Sequence, residues 1–187
     1  MSARTGLLLA AVLALSSSAG SAAPANDDPL SAEVVEGCSI ELSGTTLDAS
    51  NVVDALNCSN QSGDGSGVVQ PFGGDVFYRV TVPWSFELHV LVEPMGEWDP
   101  SLYIVTSPWN PDETCVSASD IAGNGIAEMV RIQNASISGE ARDYIIGVDS
   151  WRADSAGEFI LRLTCDIAVP VDDSGFSTLK SRYGGGR

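Results

Sequence analysis

An all-β fold, a sandwich or barrel of about nine short strands, is what this sequence encodes. Three features point there. Apolar residues recur with period two over many short runs, and Gly, Pro, Asp and Asn punctuate the gaps. No stretch shows the 3.6-residue period of an amphipathic helix.

The clearest strand is "DVFYRVTVP", which places Val76, Tyr78, Val80 and Val82 on one face and Phe77, Arg79 and Thr81 on the other. "SFELHVLVEP" then turns Phe86, Leu88, Val90 and Val92 inward, with Glu87, His89 and Leu91 outward. "DYIIGVD" aligns Tyr144, Ile146 and Val148, and "GEFILRLTC" aligns Phe159, Leu161, Leu163 and Cys165. Weaker runs are "CSIELSGTTL", "NVVDALN", "SLYIV", "TCVSAS" and "EMVRIQNAS".

The flanks read differently. Residues 1–25 have one positive charge (Arg4), an apolar run Leu7–Leu15 and a small-residue end at Ala23–Ala25. That is the layout of a secretory signal peptide, and the apolar run is too short to span a bilayer. Cleavage is expected after Ala25, with Ala22 as the alternative, and no cysteine lies near it to take a lipid anchor. Residues 26–37 form an acidic linker, 38–168 the sandwich domain, and 169–187 a flexible tail without an apolar segment. About 160 residues after the leader suffice for one domain with one core.

Four cysteines in an exported chain are most simply two disulfides. Zinc favours close pairs, and Cys38, Cys58, Cys115 and Cys165 are far apart. Two arguments bear on the pairing. Side-chain phase favours Cys38 with Cys165, since Cys38 aligns with Ile40 and Leu42. Strand direction, counted over nine alternating strands, favours Cys38–Cys58 and Cys115–Cys165, and that pairing is the expectation adopted.

The net charge is −16, with Lys180 the single lysine. Such a field repels nucleic acid and anionic membranes. It suits cations or a basic partner.

Catalytic signatures are weak. "GDGSG" (63–67) superficially matches the glycine-flanked serine of serine peptidases, but the single histidine, His89, follows it in the chain and sits on an outward strand face. It reads as a glycine-rich turn. No Gly-x-Ser-x-Gly, His-Glu-x-x-His or phosphate-binding loop occurs in the sequence, and no two carboxylates stand out. The chain reads as no enzyme.

Alternating strand directions gather the starts of "DVFY", "DPSLYI" and "EMVRI" and the ends of "SFELHVLV", "CVSAS" and "DYIIGV" at one end. That end collects Asp75, Glu93, Glu97, Asp99, Asp120, Glu128, Asp149 and Asp154. Calcium takes six to eight oxygens, so Asp99, Asp120 and Asp149 are its candidate ligands. Turn chemistry alone also favours Asp at strand ends. The four tryptophans lie at strand ends or in loops: Trp98 and Trp151 at the acidic end, Trp84 and Trp109 opposite. Trp109, within "SPWNP", is the candidate ligand-binding residue, suited to a sugar ring or a protein interface. The Asn57, Asn60 and Asn134 sequons match the glycosylation pattern and read as accidental.

The ordered run "GGDVFYRVTVP", "FELHVLVEP", "WDPSLYIV", "CVSASD", "ARDYIIGVD", "GEFILRLTC", over Gly73–Cys165, resembles the bacterial pre-peptidase C-terminal domain. The resemblance implies a jelly-roll-like antiparallel sandwich, non-catalytic, found in exported proteins, some of which bind calcium or help hold polymeric substrates. It also implies a buried aromatic at Trp98. One difference is visible: Pro100 and Ser101 follow Asp99 where family members often carry a second acidic residue. No peptidase domain accompanies it in this sequence.

The expectation is therefore a monomeric, secreted or periplasmic binding or accessory module, with calcium as the cofactor its acidic end would take. Its partner is a protein or polysaccharide, with no nucleic acid and no membrane insertion. The alternatives are a calcium-assisted carbohydrate-binding module and a cell-surface adhesive or structural protein.

Overall fold

The computed structural model describes residues 22–58, 61–62 and 68–168. Most of the expected leader, the "GDGSG" turn and the expected tail lie outside the described residues. A short 3-10 turn, Pro29–Ser31, precedes the first strand. The strands are β1 Glu33–Val35, β2 Ile40–Thr45, β3 Leu56–Asn57, β4 Gln61–Ser62, β5 Val68–Val69, β6 Val76–Val82, β7 Phe86–Pro94, β8 Pro100–Val105, β9 Cys115–Ser119, β10 Glu128–Gln133, β11 Arg142–Ser150 and β12 Glu158–Ile167. One short helix, α1 Pro111–Thr114, lies between β8 and β9.

Two sheets face each other, ordered β1-β6-β11-β8-β9-β4 and β10-β7-β12-β2, with β3-β5 as a separate ribbon. Leaving aside the short strands, the long ones run first to eighth as β2 and β6 to β12. One sheet then reads 2-7-4-5 and the other 6-3-8-1. That is the interleaving of a jelly roll. The period-2 faces meet as expected: Val76, Tyr78, Val80 and Val82 pack with Leu88, Val90, Val92, Tyr144, Ile146, Val148, Phe159, Leu161 and Leu163 in one core.

A second core lies on the outer face of the six-stranded sheet. Phe77, Tyr103, Val105, Ala118 and Ile145 are covered there by Ala32, Val53, Leu56 and the Cys58–Cys115 bridge. The cover comes mainly from the described part of the long connection from β2 to β6, with Ala32 from before β1, and it explains why every residue of "PSLYIV" is buried rather than every second one. It also changes the reading of "NVVDALN", which is a strand only at Leu56–Asn57. Val53 and Leu56 are buried as part of the cover.

The acidic stretch 26–37 is likewise part of the fold rather than a linker. β1 pairs in parallel with β6, and Asn26 exchanges hydrogen bonds with Phe77 through its side-chain amide (3.0 Å) and its carbonyl (2.8 Å).

The disulfides are Cys38–Cys165 and Cys58–Cys115, with Cα separations of 5.3 and 4.6 Å, which corrects the expected pairing. The strand-direction argument failed because "NVVDALN" is not a sandwich strand, and removing it reverses the parity of every later strand relative to β2. The antiparallel register of Leu163 with Ile40 then sets Cys165 beside Cys38, as side-chain phase required. Each bridge closes a long loop, worth about 4 kcal/mol or more in the chain-entropy model.

Non-reducing digestion at glutamate tests the pairing. Cys38 leaves on peptide 37–41, Cys58 on 42–87, Cys115 on 114–128 and Cys165 on the peptide that begins at Phe159. The expected linked species are 37–41 with the Phe159 peptide and 42–87 with 114–128. A bond between 37–41 and 42–87 contradicts the structure.

Candidate functional site at the two ends of the sandwich

The acidic end assembles as strand direction dictates, but its carboxylates do separate jobs. Asp75 and Asp149 are both fully buried. Asp75 Oδ2 accepts from the Val52 and Val53 amides at 2.7 and 3.0 Å, and its Oδ1 accepts from the Tyr103 hydroxyl at 2.6 Å. Asp149 Oδ1 accepts from the Gly73 amide at 3.0 Å and from the Ser150 amide at 2.5 Å.

Burial, reinforced by the hydrogen bond and charge of Asp75, holds the Asp149 carboxyl well above the usual carboxylate range; the Ser150 and Gly73 amides work the other way. Asp149 Oδ2 is buried with no hydrogen-bond partner, and the raised carboxyl favours the protonated form beside Asp75. Burial, and then Asp75, raise the Tyr103 hydroxyl as well, so it stays a donor. Gly147 makes room for this: a Cβ there would lie 2.2 Å from the Tyr103 ring.

Across the sheet, Glu128 is buried and closes the β9–β10 loop. It accepts from the Ile121 and Ala122 amides at 2.8 and 2.6 Å and from the Ser119 hydroxyl. Asp120 accepts from Ser101 at 3.0 Å. Asp99 differs. Its Oδ1 is buried with no hydrogen-bond partner, and burial followed by the Glu128 charge raises its carboxyl. Glu93 turns to the outer face of the four-stranded sheet, where it and Glu41 pair with Arg162.

Asp99, Asp120 and Asp149 thus share one end of the sandwich without forming a cage. Asp149 Oδ1 is spent on Gly73 and Ser150, and among the described residues no three His, Cys, Asp or Glu groups converge to hold a metal. Sequence reading passed over Asp75, Tyr103 and Glu128 as a group. Glu128 carried a signal, since it is in phase with inward Val130 and Ile132. A cleft of about 420 Å³ lies at the same end, lined by Glu97, Trp98, Asn124, Arg152, Asp154, Ser155 and Ala156.

The tryptophans divide by environment. Trp98 is buried, packs against Phe159 and donates its indole N–H to the Glu158 carbonyl at 3.0 Å. Trp151 is half-exposed with its centroid 6.3 Å from Phe72. Trp109 is 78% exposed, on the β8–β9 loop. That loop is closed by Thr106 N–H to Thr114 carbonyl (3.1 Å), by the Thr114 hydroxyl on the Ser107 and Asn110 carbonyls, and by Asn110 to Glu113 (2.8 Å). The Cys58–Cys115 bridge anchors its base. His89 lies 3.4 Å from Glu87 on the outer face of the four-stranded sheet.

No family model and no curated protein matches this chain. Among solved structures it is similar to the pre-peptidase C-terminal domain of the collagenase from Bacillus anthracis. The identity is 10%, the TM-score 0.44, and the match covers 71% of this chain and 94% of that one. The match is to the family that the motifs resemble. So loose a superposition transfers no residue, and the jelly-roll assignment stands on strand order.

The raised Asp149 carboxyl gives a pH test. Because its folded value is raised, its contribution to stability is complete below the unfolded value near about 4 and is lost as pH rises through the folded value. Asp149→Asn mimics the protonated acid. Its stability relative to the native chain is expected to climb as pH rises above about 4, whereas Asp149→Ala loses about 1–3 kcal/mol throughout. Parallel pH curves for the native and Asn proteins, measured by urea unfolding, contradict a raised Asp149.

Proposed function

We propose that this chain is an exported, non-catalytic accessory module that binds its partner through the Trp109 loop. One observation carries the reading: a large apolar side chain stands in water on a backbone closed by its own hydrogen bonds and anchored by a disulfide. A rigid exposed indole loses little conformational freedom on binding, which is how recognition loops gain affinity. Two disulfides support export to an oxidising compartment. The most enclosed carboxylates, Asp75, Asp149 and Glu128, support a structural rather than catalytic role, because each accepts backbone amides of the fold itself.

A second reading adds calcium at the acidic end, favoured by the buried, unpartnered Oδ1 of Asp99 beside Glu128. A cation there would need backbone carbonyls and water for most of its six to eight oxygens.

One experiment covers both. The exported chain and its Trp109→Ala and Asp99→Ala variants are titrated with soluble polysaccharides and peptides, in excess calcium and in chelator, reading tryptophan fluorescence and Tm. Trp109→Ala is expected to keep its stability within about 0.5 kcal/mol and to lose the fluorescence response to ligand. Calcium is expected to raise the Tm of the native chain and not that of Asp99→Ala. No response to any ligand sinks the binding reading; identical melts in calcium and chelator sink the calcium one.

A further inference from the structure

The end opposite the acidic cluster is built from the β6–β7 turn, the β8–β9 loop and the β10–β11 loop. They gather there because β11 runs antiparallel to both β6 and β8, and β10 antiparallel to β7. Each connection presents one large apolar side chain to water: Trp84 at 53%, Trp109 at 78% and Ile137 at 106% exposure. Exposed apolar residues also stand at the acidic end, where Met95, Ile121, Ile126 and Trp151 are exposed, so what sets these three apart is the backbone that holds them and the charge beside them.

The supporting backbone is fixed rather than loose. Asn134, fully buried, is the hub of two connections. Its side-chain amide donates to the Val82 and Glu140 carbonyls at 3.0 Å each, its Oδ1 accepts from Ser136 N–H, and its carbonyl accepts from Ser85 N–H at 3.0 Å. The Trp84 indole N–H then donates to the Ser136 carbonyl at 3.0 Å, tying one turn to the other. This use of Asn134 also leaves its amide unable to carry a glycan. The Trp109 loop has its own closure, described above.

Charge decides what such a surface meets. Exposed Asp112 and Glu113 follow Trp109, and exposed Glu140 follows Ile137; exposed Arg142, at the start of β11, is the cation beside Glu140 in the chain. Carboxylates on the same connections as the apolar anchors, in a chain of net charge −16, oppose an anionic lipid surface or nucleic acid and attract guanidinium and ammonium groups. Arginine also stacks on indole faces. We propose that this end docks a protein partner presenting an apolar pocket rimmed by arginine or lysine. The proposal rests on the binding-module reading and names the partner class for the same loop.

The test uses the full exported chain and defined probes, because bulk attraction of any basic peptide to an acidic protein must be separated from docking. The probes are a synthetic peptide of alternating leucine and arginine, its serine–arginine and leucine–glutamate counterparts, cellulose, and phosphatidylcholine vesicles. The leucine–arginine peptide is expected to bind at least tenfold tighter than the other two peptides and to shift tryptophan emission to the blue. Trp109→Ala combined with Ile137→Ser is expected to weaken it at least tenfold. Asp112→Asn with Glu113→Gln is expected to weaken it and flatten its salt dependence, while Glu97→Gln with Asp154→Asn at the far end leaves it unchanged.

Equal losses from charge removal at either end, or equal affinity for the serine–arginine peptide, overturn the proposal as bulk electrostatics. Retention on cellulose or vesicles that Trp109→Ala abolishes overturns the partner class while leaving the binding module standing. No response to any probe or to the polysaccharide panel overturns both.

Discussion

A jelly-roll sheet normally presents one face to its partner sheet and the other to water, and here the six-stranded sheet does not. Its outer face carries Phe77, Tyr103, Val105 and Ile145, and must be covered. The β2–β6 connection does so, and it is held chiefly by the Asp75–Asp149 pair and the Cys58–Cys115 bridge. Two carboxyls buried side by side would repel if both were ionised. Protonation of Asp149 removes that repulsion, and the other three oxygens of the pair each accept from a backbone amide or the Tyr103 hydroxyl. Gly147 completes the arrangement, because only a residue without a side chain lets the Tyr103 ring lie across β11 and meet Phe77 edge-on at 6.4 Å.

With the outer face of the six-stranded sheet covered, the surfaces left for recognition are the connections at the two ends and the polar outer face of the four-stranded sheet. The acidic end turns much of its charge inward, where Asp75, Asp149 and Glu128 tie segments together. The opposite end turns apolar side chains outward on connections stiffened by Asn134 and Thr114. Trp109, the most exposed of the four tryptophans on a loop closed by its own hydrogen bonds, is what directs the functional reading.

The strands were legible because each long one alternates against water or against a partner sheet, so Val76, Leu88, Tyr144 and Phe159 announced their face. The alternation also gathered the strand ends that carry Asp75, Asp99, Asp120, Glu128 and Asp149, while Glu93 turns outward to Arg162. The cover was not legible. "SLYIV" is apolar on both faces, which alone cannot separate a doubly buried strand from a poorly patterned one. "NVVDALN" has the composition of a strand, and counting it as one reversed the parity on which the cysteine pairing depended. Phase, a local property, survived that error; direction, which accumulates over the chain, did not. Trp98 and Trp109 look alike in sequence and differ by burial, which Phe159 and the β8–β9 loop decide.

Native-state hydrogen exchange of the Val52, Val53 and Gly73 amides tests whether the cover is integral to the fold. These three donate to the buried carboxyls at 2.7, 3.0 and 3.0 Å. If the carboxyl pair and the bridge bind the connection into the domain, their opening free energies equal those of the core amides of β7 and β12, the global value. Exchange of Val52, Val53 and Gly73 through a lower-energy opening, with β7 and β12 still protected, would show the cover to be a detachable flap.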